Sequence, residues 1–287
     1  MGKRKIFKIV FVILSIFLCV VFYELLGICV AYKKQPEVSN TTKKETKNGS
    51  WNECSENTER AVIIEKNPEA LLQRVRLIKN AKKEIILSTF AFQSDESGKL
   101  ILGALHDAAD RGVHIRLLVD GMESWIDMEG NPYFYGLSSH ENVEIKLYNK
   151  ANPLKPWKMM GRMHDKYLIA DGKRYILGGR NTYNYFLGDF PGHKNYDRDV
   201  LVVCDEPEKE NSVNQLLEYF ETIWEQEDSG YFHDNKKLAN RKSVKNAVLE
   251  LQNGYQKYFE ENKERICDTD YTDETFETEK IALVSNP

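Results

Sequence analysis

Residues 161–181, GRMHDKYLIADGKRYILGGRN, gather an imidazole, an ammonium, a position without a side chain and an amide as His164, Lys166, Gly179 and Asn181. Together these groups can do phosphate chemistry without a metal. A neutral imidazole is a nucleophile towards phosphorus, a lysine neutralises non-bridging oxygens as a compact cation, and an asparagine donates a hydrogen bond without adding charge. A zinc hydrolase built on His164, Asp165, Asp171 and Asp197 is set aside. No H-x-x-x-H or cysteine pair accompanies them, and Lys166 would repel a cation held beside His164. No metal and no other cofactor is expected.

A hairpin would put these side chains on one face. Asp171 and Gly172 lie between two apolar runs, and a two-residue turn with positive φ at both positions accepts that pair. If they alone form the turn, Ala170 pairs with Lys173, Lys166 with Leu177 and His164 with Gly179. Side chains two apart share a face, so His164, Lys166, Gly179 and Asn181 then point the same way, and Gly179 leaves room for a phosphate across from the imidazole. Taken singly, each residue has a duller reading as a structural histidine, a snorkelling lysine, turn residues and a capping asparagine. Their joint spacing carries the functional one.

The elements that would position this hairpin are those of an α/β fold. NPEALLQRVRLIKNAKKE has helical spacing from Pro68, EIILSTF at 84–90 reads as a buried strand, SGKLILGALHDAADRG at 97–112 as a helix closed by Gly112, and VHIRLLVDG as a second strand. Strand, helix, strand is a βαβ unit with parallel strands and helices packed on the sheet. NVEIKLY at 142–148 adds a strand, and RDVLVVC another. A helix follows with Leu216, Phe220, Ile223 and Trp224 on one face, and a further helix carries Val244, Val248, Leu251, Tyr255 and Tyr258 as a stripe that packs on its own domain.

HDKYLIAD resembles the HxKxxxxD element of the phospholipase D superfamily, and the GGRN that follows it resembles that family's Gly-(Gly/Ser)-x-Asn. The upstream ALHDAADRGVHIRLLVDG and downstream YDRDV extend the likeness to the N-terminal half of bacterial cardiolipin-synthase-like members, over roughly residues 60–225. The resemblance implies a mixed sheet flanked by helices, His164 as nucleophile or acid, Lys166 and Asn181 as phosphate-binding residues, and a phosphohistidine intermediate formed on a phospholipid without a metal. Asp171 is the motif's aspartate, but the register assigns it and Gly172 to the turn. Asp199 is therefore the first choice for the carboxylate that orients His164, and Asp197 the second.

One histidine cannot both attack and protonate the leaving oxygen in a single step, and the H-x-K spacing occurs once. Two-motif members of the family supply the second histidine from their other half, whose opening strand residues 281–287 resemble. The chain is expected either to pair with a second copy about a two-fold axis or to be a truncated protein lacking that half. His193 is a third candidate for the acid.

Residues 9–32, IVFVILSIFLCVVFYELLGICVAY, have Glu24 as their only formal charge and are long enough at ~1.5 Å per residue to cross a ~30 Å hydrocarbon core. They read as a membrane helix after a basic segment at 1–8, with a cleaved signal peptide as the rival. Lysines on both sides nearly balance. A signal-anchor orientation puts the catalytic part on the extracytoplasmic side. Residues 33–60 read as a polar linker, 61–265 as the phospholipase D-like domain and 266–287 as an acidic linker with the start of a second half. Cys54, Cys204 and Cys267 outside the span make no disulfide framework.

Pro156, Trp157, Met159 and Met160 could form an apolar lip at a bilayer, with Lys155 and Lys158 meeting lipid phosphates. The expected activity is that of a membrane-anchored phosphodiesterase or phosphatidyltransferase acting on phospholipid. A single-motif homodimeric nuclease is the alternative, against which the net charge of -4 and the span both count. A non-catalytic half-domain that binds anionic headgroups is the third reading.

Overall fold

The computed structural model describes residues 3–33, 43, 59–158, 160–204, 211–233, 236–278, 281 and 283. A first helix, α1 (Lys3–Lys33), is long and apolar enough to cross a membrane. Most of the remaining chain is organised by one nine-stranded sheet in the order β8-β4-β3-β2-β5-β6-β7-β1-β9. Its strands are β1 (Glu59–Ile64), β2 (Glu84–Thr89), β3 (His114–Asp120), β4 (Val143–Tyr148), β5 (Tyr167–Ala170), β6 (Arg174–Gly178), β7 (Asp199–Cys204), β8 (Ser229–Tyr231) and β9 (Phe276–Thr278). β2, β3 and β4 run parallel, and the other pairs are antiparallel. The sheet is therefore mixed, as the resemblance implies.

Alternation along the strands feeds two cores. Ile85, Leu87, Leu168, Ala170, Leu201 and Val203 face one layer, where they meet α2 (Asn67–Asn80) and α3 (Glu96–Asp110). Ile86, Tyr167, Ile169, Val202 and Cys204 face the other, against Leu216, Phe220 and Trp224 of a later helix, Ser212–Trp224. Burial on both faces explains why EIIL and VLVVC read as unbroken apolar runs rather than alternating ones. The stripe on Lys242–Glu261 buries Val244, Leu251 and Tyr255, and it packs on α3 and on the helix Pro132–Ser138.

The hairpin differs from the sequence expectation by one residue. Asp171 and Gly172 both have positive φ, 55° and 61°, and Lys173 N–H donates to Ala170 O. Lys173 is then left over as a bulge, so Ala170 pairs with Arg174 and Tyr167 with Leu177. Gly178 N–H donates to Lys166 O, which puts Lys166 opposite Gly178 rather than Leu177. A single-residue bulge is invisible to a pattern of apolar residues when both faces of the hairpin are buried.

The acidic segment expected as a linker over 266–287 is docked on the body in its described part, although most of its residues there stay exposed. Tyr271 and Thr275 are buried, β9 pairs with β1, and the Arg76 guanidinium lies 3.9 Å from the Tyr271 ring centroid while also holding Glu274. The carboxylates of that segment hid a docking site for an arginine on α2. β1 begins at Glu59, so the folded body also takes in the end of the expected polar linker. Most of that linker, and the end of the chain apart from residues 281 and 283, lie outside the described residues. Ile281 and Leu283 pack against the second core.

Candidate active site

The site sits where parallel strands end. β2 runs out into Phe90 and Ala91, β3 ends at Asp120, and the loop entering β5 carries Arg162, Met163, His164, Asp165 and Lys166. β2 lies between parallel β3 and antiparallel β5, and a change of strand direction beside carboxyl ends is a recurrent place for a ligand crevice in α/β sheets.

Asp120 fixes the loop. Its carboxylate accepts from Met122 and Glu123 N–H at the start of α4 (Gly121–Asp127), from Met163 N–H at 3.1 Å and from Arg162 Nε at 2.9 Å. Arg162 also donates to Glu123 at 2.9 Å. These bonds hold the backbone immediately before His164.

The His164 side chain is exposed, and no described residue hydrogen-bonds its ring. Its neighbour is Phe90, with ring centroids 4.3 Å apart. Arg162 and Lys166 approach the same ring at 4.9 and 5.4 Å. Partial burial first, and the charge of Lys166 second, hold the imidazole pKa below its usual value. The ring is therefore neutral over more of the physiological range, as a nucleophile requires.

Lys166 is 8% exposed, and its Nζ donates to His164 O at 2.6 Å. Burial lowers its pKa, while Asp165 and Asp197 pull it back up. Asp165 is itself raised by burial and accepts from Tyr219 Oη at 2.8 Å. A pocket of about 260 Å³ opens beside these groups, lined by Tyr148, Arg162, His164, Asp165 and Tyr219 among others.

Asn181 is 7% exposed, and its Oδ1 accepts from Ala91 N–H at 3.3 Å. Chain pairing puts it there, through Thr182 N–H to Ala91 O and Gln93 N–H to Thr182 O. With its oxygen held, the amide nitrogen is the end left to donate to an anion.

Two expectations are corrected. Asp199 does not bond His164; it is 2% exposed, and its Oδ2 takes Arg74 at 2.9 Å and Arg180 at 3.2 Å. Arg180, next to the conspicuous Asn181, turns inward and also donates to Asn67, Ile64 O and Glu65 O. The Asp199 carboxylate is thus a buried structural counter-ion. Gly179 does not leave room for a phosphate, because a Cβ there would overlap the Asp197 carboxylate, which occupies that space and acts on Lys166. Asp171 accepts from the N–H groups of Lys82, Lys83 and Glu84, tying the hairpin turn to the start of β2. The His193 ring centroid lies 5.6 Å from that of Tyr185, and among the described residues His193 makes no hydrogen bond or ring contact with His164.

Sequence reasoning missed Phe90, Asp120 and Arg162. The signal was available in STFAF and LLVDG, where an aromatic and a carboxylate stand at the C-terminal ends of strands recognisable as parallel.

The family model described as "Cardiolipin synthase, PLD-like domain" matches residues 74–224. A protein of Helicobacter pylori (strain J99) is 30% identical over 212 residues, 69% of this chain and 39% of that protein. Cardiolipin synthase C of Escherichia coli (strain K12) is 29% identical over 171 residues, 55% of this chain and 34% of its own. The chain thus spans two fifths or less of the length of either relative. The phosphatidylserine synthase of Haemophilus influenzae shares the fold, with a TM-score of 0.50 at 18% identity over 77% of this chain and 48% of that one. On the extent of the domain match, the chain belongs to the phospholipase D-like family that this model describes.

Proposed function

We propose that this protein is a membrane-anchored phospholipase D-like enzyme that cleaves or transfers phospholipid phosphodiesters through a covalent intermediate on His164. The observation that carries this reading is the exposed imidazole, biased towards its neutral form, beside the buried Lys166 ammonium and the oriented Asn181 amide. His164 attacks phosphorus and forms a P–N bond as the P–O bond to one alcohol breaks. The released oxygen takes a proton, and water or a second alcohol then displaces the imidazole and restores the free enzyme. Lys166 and Asn181 bind the non-bridging oxygens throughout.

The proton donor for the leaving oxygen comes, on this reading, from a second copy of the chain or from another phospholipase D half. His164 serves as nucleophile, and no other described histidine contacts it. The helix α1 anchors the enzyme to its substrate's bilayer.

The test is turnover of phosphatidylglycerol and phosphatidylcholine in vesicles by the full chain, with His164→Ala as control and the oligomeric state measured on the same sample. Turnover lost in His164→Ala supports the reading. Turnover retained by the variant rejects it, and headgroup-lipid binding that survives in an inactive wild type would identify a binding domain instead.

A further inference from the structure

Of the ten large apolar side chains exposed outside α1 among the described residues, five lie on the two segments tied to Arg162. On α4, Trp125 and Ile126 are each 64% exposed; on the loop that runs into His164, Leu154 is 78%, Trp157 46% and Met160 53% exposed. Met159 lies outside the described residues. α4 is bound to Arg162 through Asp120 and Glu123, and the loop is closed on itself by Asn149, whose amide donates to Lys158 O and Gly161 O. Both apolar segments therefore border the entrance to His164.

The membrane helix touches this same loop. Tyr23 Oη donates to Leu154 O at 2.8 Å, and Gly27 is buried against Pro156 so closely that a Cβ at 27 would overlap the proline ring. Backbone that enters a bilayer must have its polar groups satisfied from within the protein. The loop meets that condition at its most exposed residue, since Leu154 N–H donates to Asn152 Oδ1 and its carbonyl takes Tyr23. Gly27 and Tyr23 lie six and ten residues before the end of α1 at Lys33, about 9 and 15 Å along the axis, so the loop meets α1 from the headgroup and acyl boundary down into the acyl region. Tryptophan favours that zone, and Lys155 is exposed to headgroups there, whereas Lys158 is taken by Asp228 at 2.6 Å.

We propose that Leu154, Trp157 and Met160, with Trp125 and Ile126, form a membrane-docking surface that α1 clamps through Tyr23 and Gly27. His164 then opens onto the lipid of the bilayer that α1 spans. The inference rests on the membrane-anchored reading above but not on its chemistry, because docking is measurable without turnover.

The full chain is reconstituted into phosphatidylglycerol/phosphatidylcholine vesicles, with and without lipid brominated near the glycerol end of the acyl chains. Brominated lipid should quench tryptophan emission, and the quenched share should fall in Trp157→Phe and fall again when Trp125→Phe is added. An unchanged quenched share in both variants overturns the docking surface, whatever the enzyme does. If His164-dependent turnover is present, Leu154→Ser/Trp157→Ser and Gly27→Leu should each lower the ratio of vesicle-lipid to soluble phosphodiester turnover by roughly tenfold, since apolar area buried in lipid sets interfacial affinity. An unaltered ratio in both variants also overturns it. Absence of all turnover with quenching as described leaves docking supported and removes only the proposed chemistry.

Discussion

The imidazole of His164 rests on the ring of Phe90, centroids 4.3 Å apart and planes tilted by 51°. Phe90 also receives Arg162 and Lys166, so one aromatic ring is shared by three nitrogen-bearing groups. Because no described residue hydrogen-bonds the imidazole, this contact is what positions it. Phe90→Ala should lower kcat roughly tenfold by freeing the nucleophile from its attack geometry, and Phe90→Tyr should restore most of the loss. Equal kcat in Phe90→Ala and wild type would remove Phe90 from the positioning account.

Lys166 adds to the effect of burial on the protonation of its neighbour. The His164 pKa is lowered by partial burial and then by Lys166, so the neutral ring forms at lower pH than for a free histidine. Taking the ammonium away in Lys166→Met removes repulsion of the imidazolium and should move the His164 titration to higher pH. NMR titration of the ring reads this even if the variant is inactive; a shift in the opposite direction would contradict the electrostatic picture.

Asp197, after burial and Asp165, should contribute to the alkaline side. Its carboxylate raises the Lys166 pKa against the lowering effect of burial, so Asp197→Asn should lower that pKa further. The alkaline limb of kcat/KM then moves to lower pH, because the ammonium is lost sooner. A limb that stays in place would show that Lys166 is not the group titrating there.

Asp199 is a matter of stability. Removing one partner of a buried pair leaves the other charge uncompensated, at a cost of about 3–5 kcal/mol. Asp199→Ala would strand Arg74 and Arg180, both buried. Urea unfolding of the detergent-solubilised chain should show that loss. If the variant unfolded like wild type and lost only activity, Asp199 would instead be acting on His164.

Asp171 makes a similar contrast at the turn. Asp171→Ala strips acceptors from three backbone N–H groups and should cost about 1–3 kcal/mol, while activity per folded molecule is kept. Asp171→Asn, which keeps an oxygen and tolerates positive φ, should recover part of the loss. Activity lost at full stability would point to a direct role in the chemistry.

Much of the architecture could be read from the sequence because its signals were local. Apolar runs at 84–89 and 199–204, the helical spacing from Pro68 and the Asp171-Gly172 turn each specify their own element. The bulge at Lys173 could not be read, since it shifts the register without changing which faces are apolar. Asp199 was misassigned for a long-range reason: its partners Arg74 and Arg180 lie 125 and 19 residues away and meet it only when β7 packs under α2. Gly179 was expected to leave room for a phosphate, but the fold puts the Asp197 carboxylate, distant in sequence from His164, where that space would be.

The central claim is a covalent bond between phosphorus and His164. The most direct measurement is to quench the full chain, turning over phosphatidylglycerol in vesicles, into alkali, which preserves phosphohistidine, and to digest it for mass spectrometry. The account predicts a phosphatidyl adduct, read after alkaline loss of its acyl chains as glycerophosphate, on the peptide containing His164, absent from His164→Ala and unaffected by chelator. Sustained turnover with no adduct at His164, or with an adduct on a different residue, would contradict it.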